Sequence, residues 1–466
     1  MVDEEKDIEQ APTQPRHLIE VDDELMDDLE DLVRSRSDFL ILNILQDLYP
    51  PDIAHIINRV DTSEAEYIFK LIPMETASEV ILELDETHRE HLLQTMSQPK
   101  LTELVGEMES DDAADIVAEL PEEKAEEVLE TMNVEDSSEV QELLRYDENT
   151  AGGIMAKEVA VVNARDTVKQ AIRVVRKMAK EHKNIHTVYV VDENGVLLGA
   201  VPLQDLLVNT PNRRMYKLMN AEVISVTTDV DQEQVAQIFK KYDIVSLPVT
   251  DKAGKLLGRI TVDDVVDVME EEHEEDVARM VGSDADELER HSPAKIALLR
   301  LPWVLTTLSI EFLAGVVIHF FDATLSKIIL LASFMPIISA ISGNTGLQSA
   351  AIIVRGLATG HVDLNRWWKP IVRQFQTTLI IGSACGVVIG AIGAIWHGGA
   401  LFGVVVGFSM FISVNISGFV GTSVPMISKR LGFDPAITAG PFETAFQDVV
   451  GITIFLTIAT SLLHWL

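Results

Sequence analysis

The chain has 466 residues, of which 37 are Lys or Arg and 74 are Asp or Glu, for a formal net charge of −37. The first 290 residues hold 28 basic and 68 acidic side chains, a balance of −40, and the remainder hold nine and six. Such an N-terminal surface excludes nucleic acid as a partner, attracts divalent cations and repels itself when none are bound. A single cysteine, Cys385, excludes an intramolecular disulfide, and the soluble part suits a reducing compartment.

Taken in order, residues 1–37 read as a disordered acidic segment without a cleavable signal. Residues 38–150 read as a helical-repeat N domain. Between Pro51 and Asn133 short apolar clusters recur every 11–13 residues, opened by Ser63, Thr76, Thr87, Pro99, Asp111 and Glu122. Helices this short bury no core alone, so the expected outcome is an all-α superhelix. Such an array is either a plain scaffold or, through acidic turns such as Asp111, Asp112 and Asp115, a place for cations.

Residues 154–272 contain a duplication offset by 59 positions: Val190 to Gly199 returns as Val249 to Gly258. Each copy predicts a helix, a strand, a turn, a strand and a second helix opening near Asp205 or Asp264. The pattern resembles a tandem pair of CBS domains, here 151–212 and 213–272, an α/β module that dimerises and often binds adenine nucleotides. That resemblance implies a Thr-x-x-Asp contact with ribose and phosphate. Thr261 and Asp264 keep it, whereas the first copy has Pro202 ahead of Asp205. ATP at the pair, or a structural pair without nucleotide, are the two readings.

Asp263, Asp264, Asp267, Glu270, Glu271, Glu274, Glu275 and Asp276 then crowd the end of the second copy and the connecting helix, 273–298. Five apolar stretches follow within 299–466, at about 300–321, 327–354, 374–396, 400–428 and 436–465, each near the ~20 residues a spanning helix needs. Arg355, Arg366, Lys369 and Arg373 lie between spans two and three, and Lys429 and Arg430 between four and five. The positive-inside rule puts the N-terminal part in the cytoplasm and the C-terminus outside. Gly382, Gly386 and Gly390 in span three and Gly403 and Gly407 in span four predict close helix packing. Pro336, Gly343 and Gly346 are expected to interrupt span two and free carbonyls toward a wet cavity. Asp448 lies inside the last span, where a charge costs at least ~2.5–3.5 kcal/mol and so faces a cavity, an ion or a partner. Glu311 adds a carboxylate to span one, as a packing group or an ion ligand. Clustered His and Cys, which a soft-metal site would need, are missing.

Domain order, the Tyr146-Asp147-Glu148-Asn149-Thr150-Ala151-Gly152 linker, the Gly343-Asn344-Thr345-Gly346-Leu347-Gln348-Ser349-Ala350 motif and the Gly440-Pro441 to Asp448 motif together resemble the MgtE family of magnesium channels and transporters. The fold implied is a multidomain membrane protein: an all-α superhelical N domain, an α/β tandem CBS pair and an all-α five-span transmembrane domain. The function implied is a homodimeric Mg²⁺ channel of the bacterial inner membrane, with its pore on the two-fold axis between spans two and five. Asp448 matches the pore aspartate, with Asn344, Asn415 and Gly440 in the matching segments. Two facing carboxylates suit a hydrated Mg²⁺, which gives up its waters reluctantly. Leu347, Gly440, Glu443 and Glu311 depart from the family pattern, Glu443 at a usually apolar position.

The regulatory expectation is that Mg²⁺ binds Asp111, Asp112, Asp115, Asp263, Asp267, Glu270, Glu271, Glu274 and Glu275, compacts the cytoplasmic part and closes the pore. A solvated acidic helix is the plainer reading of residues 263–276. Alternatives are a broader Co²⁺ or Mn²⁺ transporter, a CBS-regulated anion transporter, or a non-transporting nucleotide sensor. The sequence holds no P-loop, nucleophile elbow or HExxH motif that would point to an enzyme.

Overall fold

The structure, a computed structural model, describes residues 21, 23–180, 182, 184–283 and 293–462. They form two compact units, one up to Val265 and one from Val266. Residues 1–20 of the segment expected to be disordered lie outside the described residues. Its later part corrects that expectation, because Asp23–Arg34 is a helix that buries Met26, Leu29 and Val33. Three apolar residues at three- and four-residue spacing seat an otherwise acidic helix.

The N domain is a stack of short helices with a stricter period than the sequence clusters suggest. Asp61, Pro73, Asp85, Ser97, Glu109, Pro121 and Asn133 are successive N-caps, each 12 residues after the last. Buried apolar residues keep the same register: Ile56, Ile68, Val80, Leu92, Leu104, Ile116, Val128 and Val140. One helix plus one turn therefore returns the chain to the same inward position. Each helix packs on its next-but-one neighbour, as Met74–Leu82 does on Gln98–Gly106 and Ser110–Glu119 does on Val134–Leu143. That is the continuous core of a solenoid, and truncating one rung, such as Leu104→Ala, would cost ~2–5 kcal/mol.

Both CBS copies form three-stranded sheets of one topology. Val161–Asn163 runs parallel to Thr187–Val191, which pairs antiparallel with Leu197–Pro202. In the second copy Val226–Thr227, Ser246–Thr250 and Leu256–Thr261 repeat the arrangement. The duplication extends to irregularities, since the register shifts at Val190/Val191 and again at Val249/Thr250. Gly195 and Gly254 take positive φ in the equivalent turns, where a side chain would be strained. The two turns then bond each other, Leu197 N donating to Gly254 O and Leu256 N to Gly195 O at 2.9 and 3.0 Å. The linker docks on the second copy: Ala151 N donates to Val230 O and Gln232 N to Asn149 O.

The helix after the second copy runs unbroken over Val262–Val281, so the boundary placed at 272/273 falls inside it. Residues 284–292 of the expected connecting helix lie outside the described residues. Among the described residues, the second unit holds five helices long and apolar enough to cross a membrane: Pro293–Phe320, Leu331–Ala358, Trp368–His397, Ala400–Leu431 and Pro435–Ser461, where a turn at Pro435–Thr438 precedes the helix Pro441–Ser461. They are called spans one to five below. Phe334, Phe402, Met410, Val414, Phe455 and Leu456 centre their shared core. Span two is one helix straight through Pro336, Gly343 and Gly346, which corrects the expected interruption. Both glycines are buried and serve helix contact. Spans three and four also meet backbone to backbone: a Cβ at Gly386 would lie 2.7 Å from Gly407 O, and one at Gly390 2.8 Å from Gly403 O.

Candidate functional site

Asp448 sits on span five facing span two. Ser339 Oγ donates to Asp448 Oδ1 at 2.5 Å. One turn further along span two, a Cβ placed on Gly343 would be 3.6 Å from the same carboxylate oxygen. A Cβ there would press Thr444 Cγ2 at 3.2 Å but make only an ordinary contact with the aspartate, so the glycine keeps the space beside Asp448 free of a longer side chain. Glu311 of span one comes within hydrogen-bond reach of Asp448. It also lines a cavity of about 600 Å³ with Val281, Trp303, Val304 and Thr307. Glu311, left open as a packing group or a ligand, thus belongs to the Asp448 neighbourhood.

The other pore candidates are placed differently. Asn344 is exposed on span two, one residue from Gly343. Asn415 turns toward span three, donating to Phe411 O at 2.8 Å and accepting from Thr378 Oγ1 at 3.1 Å. It braces span four on span three. Gly440 caps span five, and a Cβ there would lie 2.6 Å from Met280 O at the end of the Val262–Val281 helix. Met280 also packs on Ala350, Val354, Ala436 and Ala439, and Arg279 pairs with Asp434 in the loop before span five. This contact between the helix end and the adjoining ends of spans two and five was not foreseen. Arg279 is the basic residue in the last turn of an acidic helix, and that lone sign reversal was the available signal.

In the first unit, Glu109, Asp111 and Glu158 bring carboxylate oxygens within 4.8 Å of one another. Glu158 caps the Ser110–Glu119 helix, accepting from Ser110 N at 3.0 Å and Ser110 Oγ at 2.9 Å. A carboxylate suits that positive helix end. Arg259 pairs with Glu109 at 3.3 Å. One guanidinium does not balance the site. Burial, then neighbouring carboxylates, raise Asp111 well above its ordinary value. Burial and the Asp264 charge push Asp112 up to about 7, and burial pushes Glu109 up to about 7 despite Arg259. Asp264 is raised by burial too. Oxygen-only ligands with excess negative charge are the donor set a hard divalent cation takes. Of the expected sensing residues, Asp111 is in this cluster and Asp112 beside it; Asp115 acts electrostatically on Asp112. Glu109 and Glu158 were missed, the first because it reads as a cap and the second because it stands alone in sequence.

Asp263 accepts from Thr261 Oγ1 and from Asn184 Nδ2. Asp267, Glu270, Glu271 and Glu274 follow on the Val262–Val281 helix, and Glu275 pairs with Arg279. In the nucleotide candidate, Thr261 N and Oγ1 both donate to Asp264 Oδ2, at 2.9 and 2.8 Å. Asp205 has no comparable partner threonine, because Pro202 occupies the matching strand end.

Family models match along the chain: the MgtE intracellular N domain over residues 48–149, a CBS domain over 151–209 and 215–271, and the MgtE divalent cation transporter over 335–458. The chain is 33% identical to the magnesium transporter MgtE of Bacillus subtilis over 422 residues, 91% of this chain and 94% of the other. The chain belongs to the MgtE family. The MgtE of Thermus thermophilus is 36% identical over 70% of this chain and 73% of its own. Among solved structures, the cytosolic domain of the Mg²⁺ channel MgtE in complex with ATP superposes with a TM-score of 0.50 at 32% identity, covering 52% of this chain and 99% of that one. This MgtE chain is accordingly a multi-span membrane protein of a transporter family, with a helical N domain and a CBS pair.

Proposed function

We propose that the chain is a homodimeric, Mg²⁺-selective channel of the cell membrane, with its N-terminal part in the cytoplasm, its C-terminus outside and its pore on the two-fold axis between spans two and five. The observation that carries this reading is the Ser339–Asp448 contact beside Gly343. The hydroxyl fixes the carboxylate, and the glycine leaves space for an ion that keeps its water. Two-fold symmetry would face two such carboxylates across the axis, each accepting hydrogen bonds from first-shell water. Asn344 and Gly440 would lie along the same path. Asn415 would act indirectly, by holding span four. Support for the ion comes from the relatives named as magnesium transporters.

Cytoplasmic Mg²⁺ would close this pore. Bound at Glu109, Asp111, Asp112 and Glu158, and along Asp263, Asp267, Glu270, Glu271, Glu274 and Glu275, it would relieve the like-charge repulsion and favour the compact arrangement. The latch of Arg279 on Asp434 and of Met280 on Gly440 would then hold the helix end at the mouth. ATP would bind the second CBS copy through Thr261 and Asp264, as the ATP complex of the related cytosolic domain suggests. Mg²⁺ flux into liposomes, lost in Asp448→Ala while dimers persist by light scattering, tests the pore. Normal selective flux in that variant would overturn it.

A further inference from the structure

Glu443 lies in the first turn of span five and is only 1% exposed. Its Oε1 accepts from Gln447 Nε2 at 3.0 Å, whereas its Oε2 is buried with no hydrogen-bond partner. The carboxyl is pressed against Gly346 of span two and lies beside Ser417 of span four. Around it are oxygens of both neighbouring helices. Ser417 Oγ donates to Ser342 O, and Ser417 O accepts weakly from Gln447 Nε2 at 3.5 Å. The positive end of span five offsets part of the carboxylate's burial, but no donor reaches Oε2. An oxygen in that position costs its full desolvation unless something positive meets it.

The charged groups near Glu443 do not supply that charge. On its own helix the nearest is Asp448, which is negative, and Glu311 of span one joins Asp448. The basic groups of spans two and four, Arg355, Lys429 and Arg430, stand in their last turns. Arg355 is nine residues beyond Gly346, about 13 Å along the helix. Arg279 is engaged by Asp434 and Glu275.

We propose that Glu443, with the oxygens of Ser417 and Ser342, forms a site for one monovalent cation, a proton or a sodium-sized ion, at the seam of spans two, four and five, where the Gln447 amide holds Oε1 in competition with the ion. The charge count selects the class: one carboxylate among neutral oxygens balances one positive charge, whereas a divalent ion would leave a net charge buried. The site is separate from Asp448 but only five residues away on one helix. Filling it removes a negative charge near Asp448, so the monovalent cation opposes Mg²⁺ there. This step rests on the pore reading of Asp448; the existence of the site does not.

Two measurements on the purified full-length protein test it. In the first, melting is followed as N-methylglucamine is replaced by Na⁺ at fixed pH and ionic strength, and as pH is lowered through neutrality at fixed Na⁺. With saturating Mg²⁺ present to suppress the pH response of the Glu109–Asp112 cluster, wild type is stabilised along one of these axes, which identifies the ion, and Glu443→Gln loses that response. In the second, Mg²⁺ flux into liposomes falls at least about fivefold along the same axis in wild type and stays flat in Glu443→Gln. Wild-type melting indifferent to both cations, or an unchanged response in Glu443→Gln, overturns the site. A melting response without any Mg²⁺ flux overturns the pore reading and leaves the site standing. Should Glu443→Gln fail to fold, Gln447→Leu replaces it: removing the donor to Oε1 must move the melting response to lower cation concentration, and no shift overturns the proposal.

Discussion

The two units surround their inward carboxylates differently. In the first, Glu109, Asp111, Asp112, Glu158 and Asp264 gather with Arg259 as their basic partner, and burial raises several of them together. In the second, Asp448 and Glu443 are each given a neutral donor, Ser339 or Gln447, and a single further carboxylate, Glu311, joins Asp448. A gathered cluster repels itself until protons or cations balance its charge, which is the property the proposed sensing role needs. A carboxylate held by a hydroxyl keeps its position whether or not an ion is present, which suits a path that ions must leave again.

The comparison breaks most sharply at Asp448. Asp448→Ala should lower selective Mg²⁺ flux at least about 100-fold, since an aspartate acting through first-shell water controls affinity on that scale. Asp448→Asn, which keeps an acceptor without charge, should fall between, as measured by flux in liposomes. A smaller effect is expected from Asp267, Glu270, Glu271, Glu274 and Glu275 neutralised together. Half-inhibition by cytoplasmic Mg²⁺ should move by roughly tenfold or the curve should flatten. An unchanged curve would mark this helix as a solvated connector.

The cluster should also reveal itself through pH. Glu109 and Asp112 titrate near 7 when folded, against ordinary values of 4.5 and 3.8. The folded state therefore holds more protons between those limits, so their contribution is fullest below the ordinary carboxylate range and is lost as pH rises through about 7. With a chelator present, melting of the full-length protein should fall by roughly 5 °C across that rise. Millimolar Mg²⁺ should restore it. A pH-independent melting temperature in chelator would contradict the cluster's charge state. The smallest expected change concerns nucleotide: Asp264→Ala should weaken ATP binding by calorimetry about tenfold, and Asp205→Ala less, because only Asp264 has a threonine partner.

Much of this architecture was legible because it rests on repetition. The 59-residue offset between CBS copies reappears in the strands, the positive-φ glycines and even the register shifts. The five spans were readable from length and apolarity, with ends that moved by several residues because helices continue into polar flanks. Several features escaped, three of them for clear physical reasons. The helix Asp23–Arg34 was hidden by its charge, since Met26, Leu29 and Val33 are a narrow stripe in an acidic segment. Span two reads as interrupted, but its glycines answer to neighbouring helices, Gly343 to Thr444 and Asp448 and Gly346 to Glu443 and Ser417. Glu158 joins the acidic cluster across 47 residues of sequence from Asp111, a proximity that only the docking of its strand entry on the Ser110 helix creates.

The central claim, a Mg²⁺ path guarded by its own ion, is tested most directly by Mg²⁺ flux through the reconstituted wild-type protein as Mg²⁺ on the cytoplasmic face is raised through the millimolar range. Flux that is present at low cytoplasmic Mg²⁺ and shuts down cooperatively as it rises is the predicted result. Flux that is absent throughout, or that continues undiminished at saturating cytoplasmic Mg²⁺, would contradict the account.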